Sequence, residues 1–526
     1  MLKIRKFVIL TTMAAALFGL TACSTKGNQS SSGTQNITKA GTYEFTGDID
    51  GSIVVDAGKE DEVTLVLNGV NLTSDGNDAA IKILKAKKVT ITLEDGSQNT
   101  IEDSAKRNTS QTSDSENSET DFDAAIYSKT DLYLNGTGEL VVTGNYGDGI
   151  AGKDSVYIEE GTYKIQAAKH GIMGKDYLEI QGGNFEINCE QDSFHSNGDF
   201  VIQKGSFLVD CGDDAFHAET ALKIEDGTID ITACNEGLEG ETVTITGGEI
   251  SIVSSDDGIN AASSEETTNA GNQRENPFEA NGNNAIQIDG GNIYINAGGD
   301  GIDSNGNVVV TGGTIKIDGS ENGGNGALDY GGIFEVSGGS VIAVGASGMA
   351  LGISDTSSVY GIMMTCDTQI SANTPIILED EQGEVLQYTP AKKYNSVVIA
   401  DAGLEQGKSY TLKIGDNISV TFTISNTMTY LNQNGVTEGQ NGMNGEWGKG
   451  GKRDDFDKTQ IPGNMTQEEL PEDMVIPEGM EMPEGMVKPD GTQKPENMEL
   501  PQGMEMPEGT NKQGNTQQSE STQENP

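Results

Sequence analysis

A short turn ending in one apolar residue recurs about every 22 residues through the middle of the chain. It reads Asp148-Gly149-Ile150, His170-Gly171-Ile172, Asp192-Ser193-Phe194, Asp214-Ala215-Phe216, Glu236-Gly237-Leu238, Asp257-Gly258-Ile259 and Asp300-Gly301-Ile302. The apolar members stand 22, 22, 22, 22, 21 and 43 residues apart. A fixed period of roughly 20–50 residues marks a stacked repeat, in which each unit buries its apolar face only against its neighbours. Equivalent residues of successive units then lie one above another.

Each unit reads as three short strands and three turns. Tyr177-Leu178-Glu179-Ile180 alternates, Gly182-Gly183 turns the chain, Phe185-Glu186-Ile187 alternates again, and Cys189 to Asp192 turns before Phe194-His195. The Gly-Gly turn returns at Gly247-Gly248, Gly290-Gly291, Gly312-Gly313 and Gly338-Gly339, where glycine supplies positive φ. No helical period lies between the strands. The pattern predicts a right-handed parallel β-helix over residues 37–351, about 22 residues per coil, the handedness following from the general chirality of parallel connections. A β-roll of calcium-binding nonapeptides is the alternative, but its period of nine is absent. Gly51 to Asp56, Val63 to Leu72 and Lys88 to Leu93 form less regular first coils. Ser104 to Asp121 and Ala261 to Asn283 read as surface loops. Residues 352–425 carry antiparallel β signals and read as a small closing subdomain. Residues 426–526, rich in Met, Pro, Glu and Gly, bury too little to fold and read as a disordered tail.

Lys3, Arg5 and Lys6 precede the apolar stretch Phe7 to Gly19, and Leu20-Thr21-Ala22-Cys23 looks like a lipobox. This predicts a signal peptide over 1–22, lipidation of Cys23, a flexible tether over 23–36, and a lipid-anchored protein on the outer side of the cell membrane. The formal charge of −50 makes nucleic acid and anionic membrane surfaces poor partners for the body of the protein and cations good ones. Cys189, Cys211 and Cys234 share one phase of the repeat and predict a buried thiol column; stacked on neighbouring coils, two of them could also form a disulfide.

Two positions before each apolar turn residue stand Asp148, His170, Asp192, Asp214, Glu236, Asp257 and Asp300; one position after stand Ala151, Met173, His195, His217, Glu239, Asn260 and Asp303, with Asp329 one coil later. Carboxylates stacked about 5 Å apart repel by roughly 1 kcal/mol in water and by more where water is excluded. Such a ladder must hold protons or cations. Oxygen donors in number favour calcium, and the expected Ca²⁺ ligands are Asp192, Asp213, Asp214, Glu236, Glu239, Asp256, Asp257, Asp300 and Asp303.

Val63 to Val70, Ala124 to Lys129, Asn145 to Ile150, Gly299 to Gly306 and Thr389-Pro390 to Val398 together resemble a bacterial cell-surface carbohydrate-binding β-helix family. The resemblance covers about residues 37–425. It implies a calcium-containing parallel β-helix that binds cellulose-like and pectic polysaccharides, with a fold similar to that of some pectate lyases. Lys169-His170 stands where the family shows an acidic pair, which tells against a metal site at that coil. Three functions compete: a non-catalytic polysaccharide-binding lipoprotein; a calcium-dependent lyase whose base would be Lys153 or Lys175; and a structural envelope protein. The two lysines have an alternative role in neutralising Asp154 and Asp176. Aromatic poverty, 5% of residues, limits stacking platforms for sugars.

Overall fold

A computed structural model describes residues 31–74, 78–106, 122–263 and 283–438. The signal peptide, Cys23, most of the tether, the centres of both loops and residues 439–526 lie outside the described residues. The described chain has no helix and winds into a parallel β-solenoid of about 12 turns, as the period predicts. The periodic strands fall into three strips. One contains Asp148–Gly152, Ile172–Gly174 and Phe194–Ser196; the next Ser155–Ile158, Tyr177–Ile180 and Asp199–Ile202; the third Thr162–Ala167, Asn184–Cys189 and Ser206–Cys211. Every strand pairs in parallel with its equivalent one coil on, Ile150 facing Ile172 and Ile172 facing Phe194. Strips of this kind put alternate residues inside.

The inward residues form one continuous core. Ile150, Ile172, Phe194, Phe216, Leu238, Ile259, Ile302 and Leu328 stack on the first strip, none more than 1% exposed. Burying each such side chain contributes roughly 1.5–3 kcal/mol. On the third strip Tyr163, Phe185 and Phe207 stack with ring centroids 5.1 and 5.0 Å apart. Two coils carry Ser193 and Ala215 at the middle of the repeated turn, but where glycine stands there the space is tight. A Cβ on Gly301 would lie 2.2 Å from Ile317 Cγ2 and 2.6 Å from the Ala327 carbonyl oxygen. The second glycine of Gly312-Gly313 takes φ +88°, a conformation other residues adopt only under strain.

Cys189 and Cys211 occupy paired positions on adjacent coils, and these two, with Cys234 and Cys366, are free and buried. Burial pushes the Cys189 thiol up to about 11 and Cys234 to about 12, so both stay protonated as small core side chains.

The last coil strand, Ser340–Gly345, pairs antiparallel with Tyr394–Asp401, which pairs antiparallel with Tyr360–Ile370. A separate sheet of four antiparallel strands runs in the order Gly383–Tyr388, Ile376–Asp380, Ser409–Ile414, Ile418–Thr423. These surround a second core that includes Tyr394, Tyr410 and Phe422. Residues just beyond 425, read from sequence as tail, instead extend this subdomain: Met428–Asn432 pairs in parallel with Tyr360–Ile370. Asp318, wholly buried, ties the subdomain to the coils by accepting hydrogen bonds from Tyr388 Oη (2.7 Å), Ala391 N (2.8 Å) and Tyr294 Oη (3.1 Å). Among the described residues no helix is long and apolar enough to cross a membrane.

Candidate metal centre

The turn before the first strip places one polar side chain per coil in a column, and the backbone fixes it there. The Oδ1 atom of Asp148 accepts the N–H of His170 (3.1 Å), that of Asp192 the N–H of Asp214 (3.0 Å), that of Asp214 the N–H of Glu236 (3.2 Å), and that of Asp257 the N–H of Asp300 (2.6 Å). Asp300 Oδ1 accepts from Gly326 in the same way. Each aspartate thus spends one oxygen on the next coil's backbone and presents the other to its surroundings. This double use is invisible in sequence, where the same residues read only as turn formers or ligands.

What the second oxygen meets divides the column in three. In the first part it meets imidazole. His195 Nδ1 lies 2.6 Å and His170 Nδ1 3.4 Å from Asp192 Oδ2. Burial alone would raise Asp192, but the two rings hold it well below the usual carboxylate range. In the second part His217 Nδ1 lies 3.1 Å from Asp214 Oδ2 and 2.7 Å from Glu239 Oε2. Burial works against its charge, yet these two acids lift His217 to about 10. Burial and Glu239, opposed by His217, bring Asp214 to about 7. Burial, opposed by the amide of Asn260 (2.8 Å) and reinforced by Glu239, Asp214 and Asp257, brings Glu236 to about 8.

The third part is all oxygen. Ligand atoms of Asp257, Asp300 and Asp303 lie within 4.8 Å of one another, and no basic side chain of the described residues pairs with them. Asp303 faces Asp329 one coil on and Asn260 one coil back. Burial, with Asp257, Asp329 and Asp300, pushes Asp303 up to about 8; burial, opposed by the Gly326 N–H, leaves Asp300 at about 7; burial, opposed by the Asp300 N–H, leaves Asp257 at about 6. Three half-buried carboxyls this close resist ionisation together unless protons or a cation offset their charge, and oxygen donors alone are of the type that hard divalent cations accept.

The expected ligands therefore separate. Asp257, Asp300 and Asp303 converge, as do Asp214, Glu236 and Glu239, although His217 already supplies positive charge to the latter group. Asp192 converges with histidines. Asp213 and Asp256 are exposed and stand outside these groups; Asp256 acts on Asp257 and Asp300 through its charge.

The two lysines lie elsewhere. Lys153 Nζ is 3.7 Å from Asp123 and packs over Tyr127, so its pairing is with Asp123 and not with Asp154. Lys175 is exposed. The strand ending just before Lys153 is five pairings, and that ending just before Lys175 four, from Ile259, or roughly 20–25 Å at about 4.8 Å per coil. The outer tyrosines offer little ring face. Tyr133 and Tyr157 stack on each other (4.6 Å, 11°), Tyr177 follows at 5.7 Å, and Lys88 Nζ caps Tyr133 at 3.5 Å from the ring centroid. Tyr127 and Tyr163 are buried.

Comparison with known proteins finds likenesses over part of the chain. A relative described as a carbohydrate-binding domain-containing protein, from Acetivibrio thermocellus, is 39% identical over 132 residues; the match takes in 25% of this chain and 44%, less than half, of the relative. A solved structure described as a polysaccharide lyase-like protein from C. thermocellum, gadolinium derivative, is 24% identical, with 60% of this chain and 86% of that one covered, at a TM-score of 0.28. Residues 31–276, the greater part of the coils, match the family described as carbohydrate-binding domain-containing proteins.

Proposed function

We propose that this chain is a lipid-anchored, extracytoplasmic polysaccharide-binding protein that takes up Ca²⁺ on its carboxylate ladder and holds an acidic glycan of the polygalacturonate type without cleaving it. The convergence of Asp257, Asp300 and Asp303 carries the reading. Bound there, calcium would supply positive charge shared between these carboxylates and those of a uronate. The family match over residues 31–276 supports a glycan as the partner. The acidic choice follows from charge and surface: a chain of net charge −50 attracts polyanions only through cations, and the tyrosine faces that would stack on a neutral glucan are covered by one another. The distance of Lys153 and Lys175 from this rung supports binding without cleavage, since a Brønsted base must lie within hydrogen-bond reach of the proton it removes.

The test is retention of the full chain on polygalacturonate gel and on insoluble cellulose, with calcium and with EDTA, with an assay of the supernatant for unsaturated products. Calcium-dependent retention on polygalacturonate without products is expected. Unsaturated products lost in Lys153→Ala would establish the lyase instead, and the absence of both retention and products would leave a structural envelope protein.

A further inference from the structure

The chain has three histidines, and all three fall in one column of the solenoid. His170 and His195 rings lie 4.7 Å apart, His195 and His217 4.8 Å. His170 takes the turn position occupied one coil on by Asp192, and His195 is the outward residue of Asp192's own coil, paired across the sheet with Met173 and His217. This register brings a ring nitrogen of His170, a carboxylate oxygen of Asp192 and a ring nitrogen of His195 within 4.8 Å of one another; His170 Nδ1 also accepts the Asp192 N–H at 3.3 Å.

Two nitrogens and one oxygen make a different donor set from the rungs above. Calcium takes six to eight oxygens, whereas imidazole with carboxylate suits first-row transition metals. Three protein donors leave a position for water, as in open zinc sites. The surroundings hold the set in place. Asp192 is 4% exposed and its other oxygen is fixed by the Asp214 N–H at 3.0 Å. The backbone of His170 is fixed by Asp148, and the neighbouring Lys169 is drawn aside toward Asp123 at 3.8 Å. The rings keep a minor part of their surface open, enough for an ion to enter from solvent.

We propose that His170, Asp192 and His195 bind a divalent first-row transition-metal ion, with Zn²⁺ as the reference probe, separately from the all-oxygen carboxylate rungs. The proposal stands independently of the glycan reading. It reverses the expectation that replacing the family's acidic pair by Lys169-His170 removes a metal site; here the replacement changes which metal fits. Without the ion, His195 Nδ1 is hydrogen-bonded to Asp192 Oδ2 (2.6 Å) while His170 Nδ1 accepts the Asp192 N–H; the ion would take one ring nitrogen of each histidine in its neutral form.

The test uses the full chain, free of any histidine tag, stripped with EDTA, dialysed, and then titrated calorimetrically with Zn²⁺ in excess Ca²⁺. Co²⁺ absorption in the visible reports nitrogen coordination. One equivalent of zinc, not displaced by calcium, is expected. His195→Gln should weaken it at least tenfold and abolish the cobalt band while leaving the thermal melt of the metal-free protein within a few degrees. Asp300→Asn with Asp303→Asn should leave zinc uptake unchanged. Absence of zinc uptake, displacement of zinc by equimolar calcium, or an unchanged zinc isotherm in both His170→Gln and His195→Gln would overturn the proposal.

Discussion

Asp318→Ala is expected to free the C-terminal subdomain from the coils. Asp318 sits on Thr314–Asp318 with no exposed surface, and its carboxylate takes the hydroxyls of Tyr388 and Tyr294 and the N–H of Ala391. Ala391 is exposed and can turn its N–H to water, but Tyr388 is buried and would lose its acceptor. Burial and the adjacent Asp318 push the Tyr388 hydroxyl far above its usual range, so it remains a donor and needs that acceptor. Hydrogen bonds to a charged group are worth about 1.5–3 kcal/mol each, and a stranded buried donor costs about 1–3. A loss of about 3–4 kcal/mol at this joint follows. Limited proteolysis should cut between residues 346 and 438 at lower protease in Asp318→Ala than in the parent, while the coils resist. Asp318→Asn, which keeps an acceptor for Tyr388, should fall between the two. Equal resistance of parent and Asp318→Ala would show that the joint rests on the apolar contacts alone.

The second large effect is on pH dependence. With calcium removed by EDTA, the melting temperature should fall as pH rises from about 4 to about 8. Asp257, Asp300 and Asp303 have folded values of about 6, 7 and 8, and Glu236 about 8, all raised chiefly by burial. Their unfolded values lie near 4, so across this window the native state holds more protons and each added unit of pH favours unfolding. A group protonated only in the native state contributes about 1.4 kcal/mol per pH unit before allowance for partial exposure. Asp192 acts the other way: its depressed value gives stability above its unfolded value near 4, lost only as pH falls further. His217, at about 10, gives stability present below its unfolded value near 6.5 and lost as pH climbs through 10, which continues the decline. Calcium at pH 8 should restore part of the loss, since a ligand at about 100 times its Kd adds about 2.7 kcal/mol to a native state that alone binds it. A melting temperature flat across the window, or a fall that calcium leaves in place, would contradict the assignment.

The fold was legible because its signal is periodic. The spacing of Ile150, Ile172, Phe194 and Phe216 predicts the stack, and the structure pairs those residues in register. The ladder was legible as a column but not as chemistry. Sequence spacing shows that Asp192 and Asp300 are equivalent; it does not show that imidazoles occupy the open oxygen of Asp192 while Asp300 meets only other carboxylates. Asp213 and Asp256 look equivalent to their neighbours in sequence but are exposed, and Asp256 reaches Asp257, Asp300 and Asp303 through its charge. Asp318 carries no local signal at all, because its partner Tyr388 lies 70 residues away.

Calcium uptake by the full chain, measured calorimetrically beside the Asp300→Asn, Asp303→Asn double variant, tests the central claim most directly. The account predicts saturable uptake by the parent and loss of at least one site in the double variant, with the variant still folded at pH 6, where neutralised carboxyls relieve the ladder. Identical isotherms for the two proteins, or no saturable uptake by the parent, would contradict it.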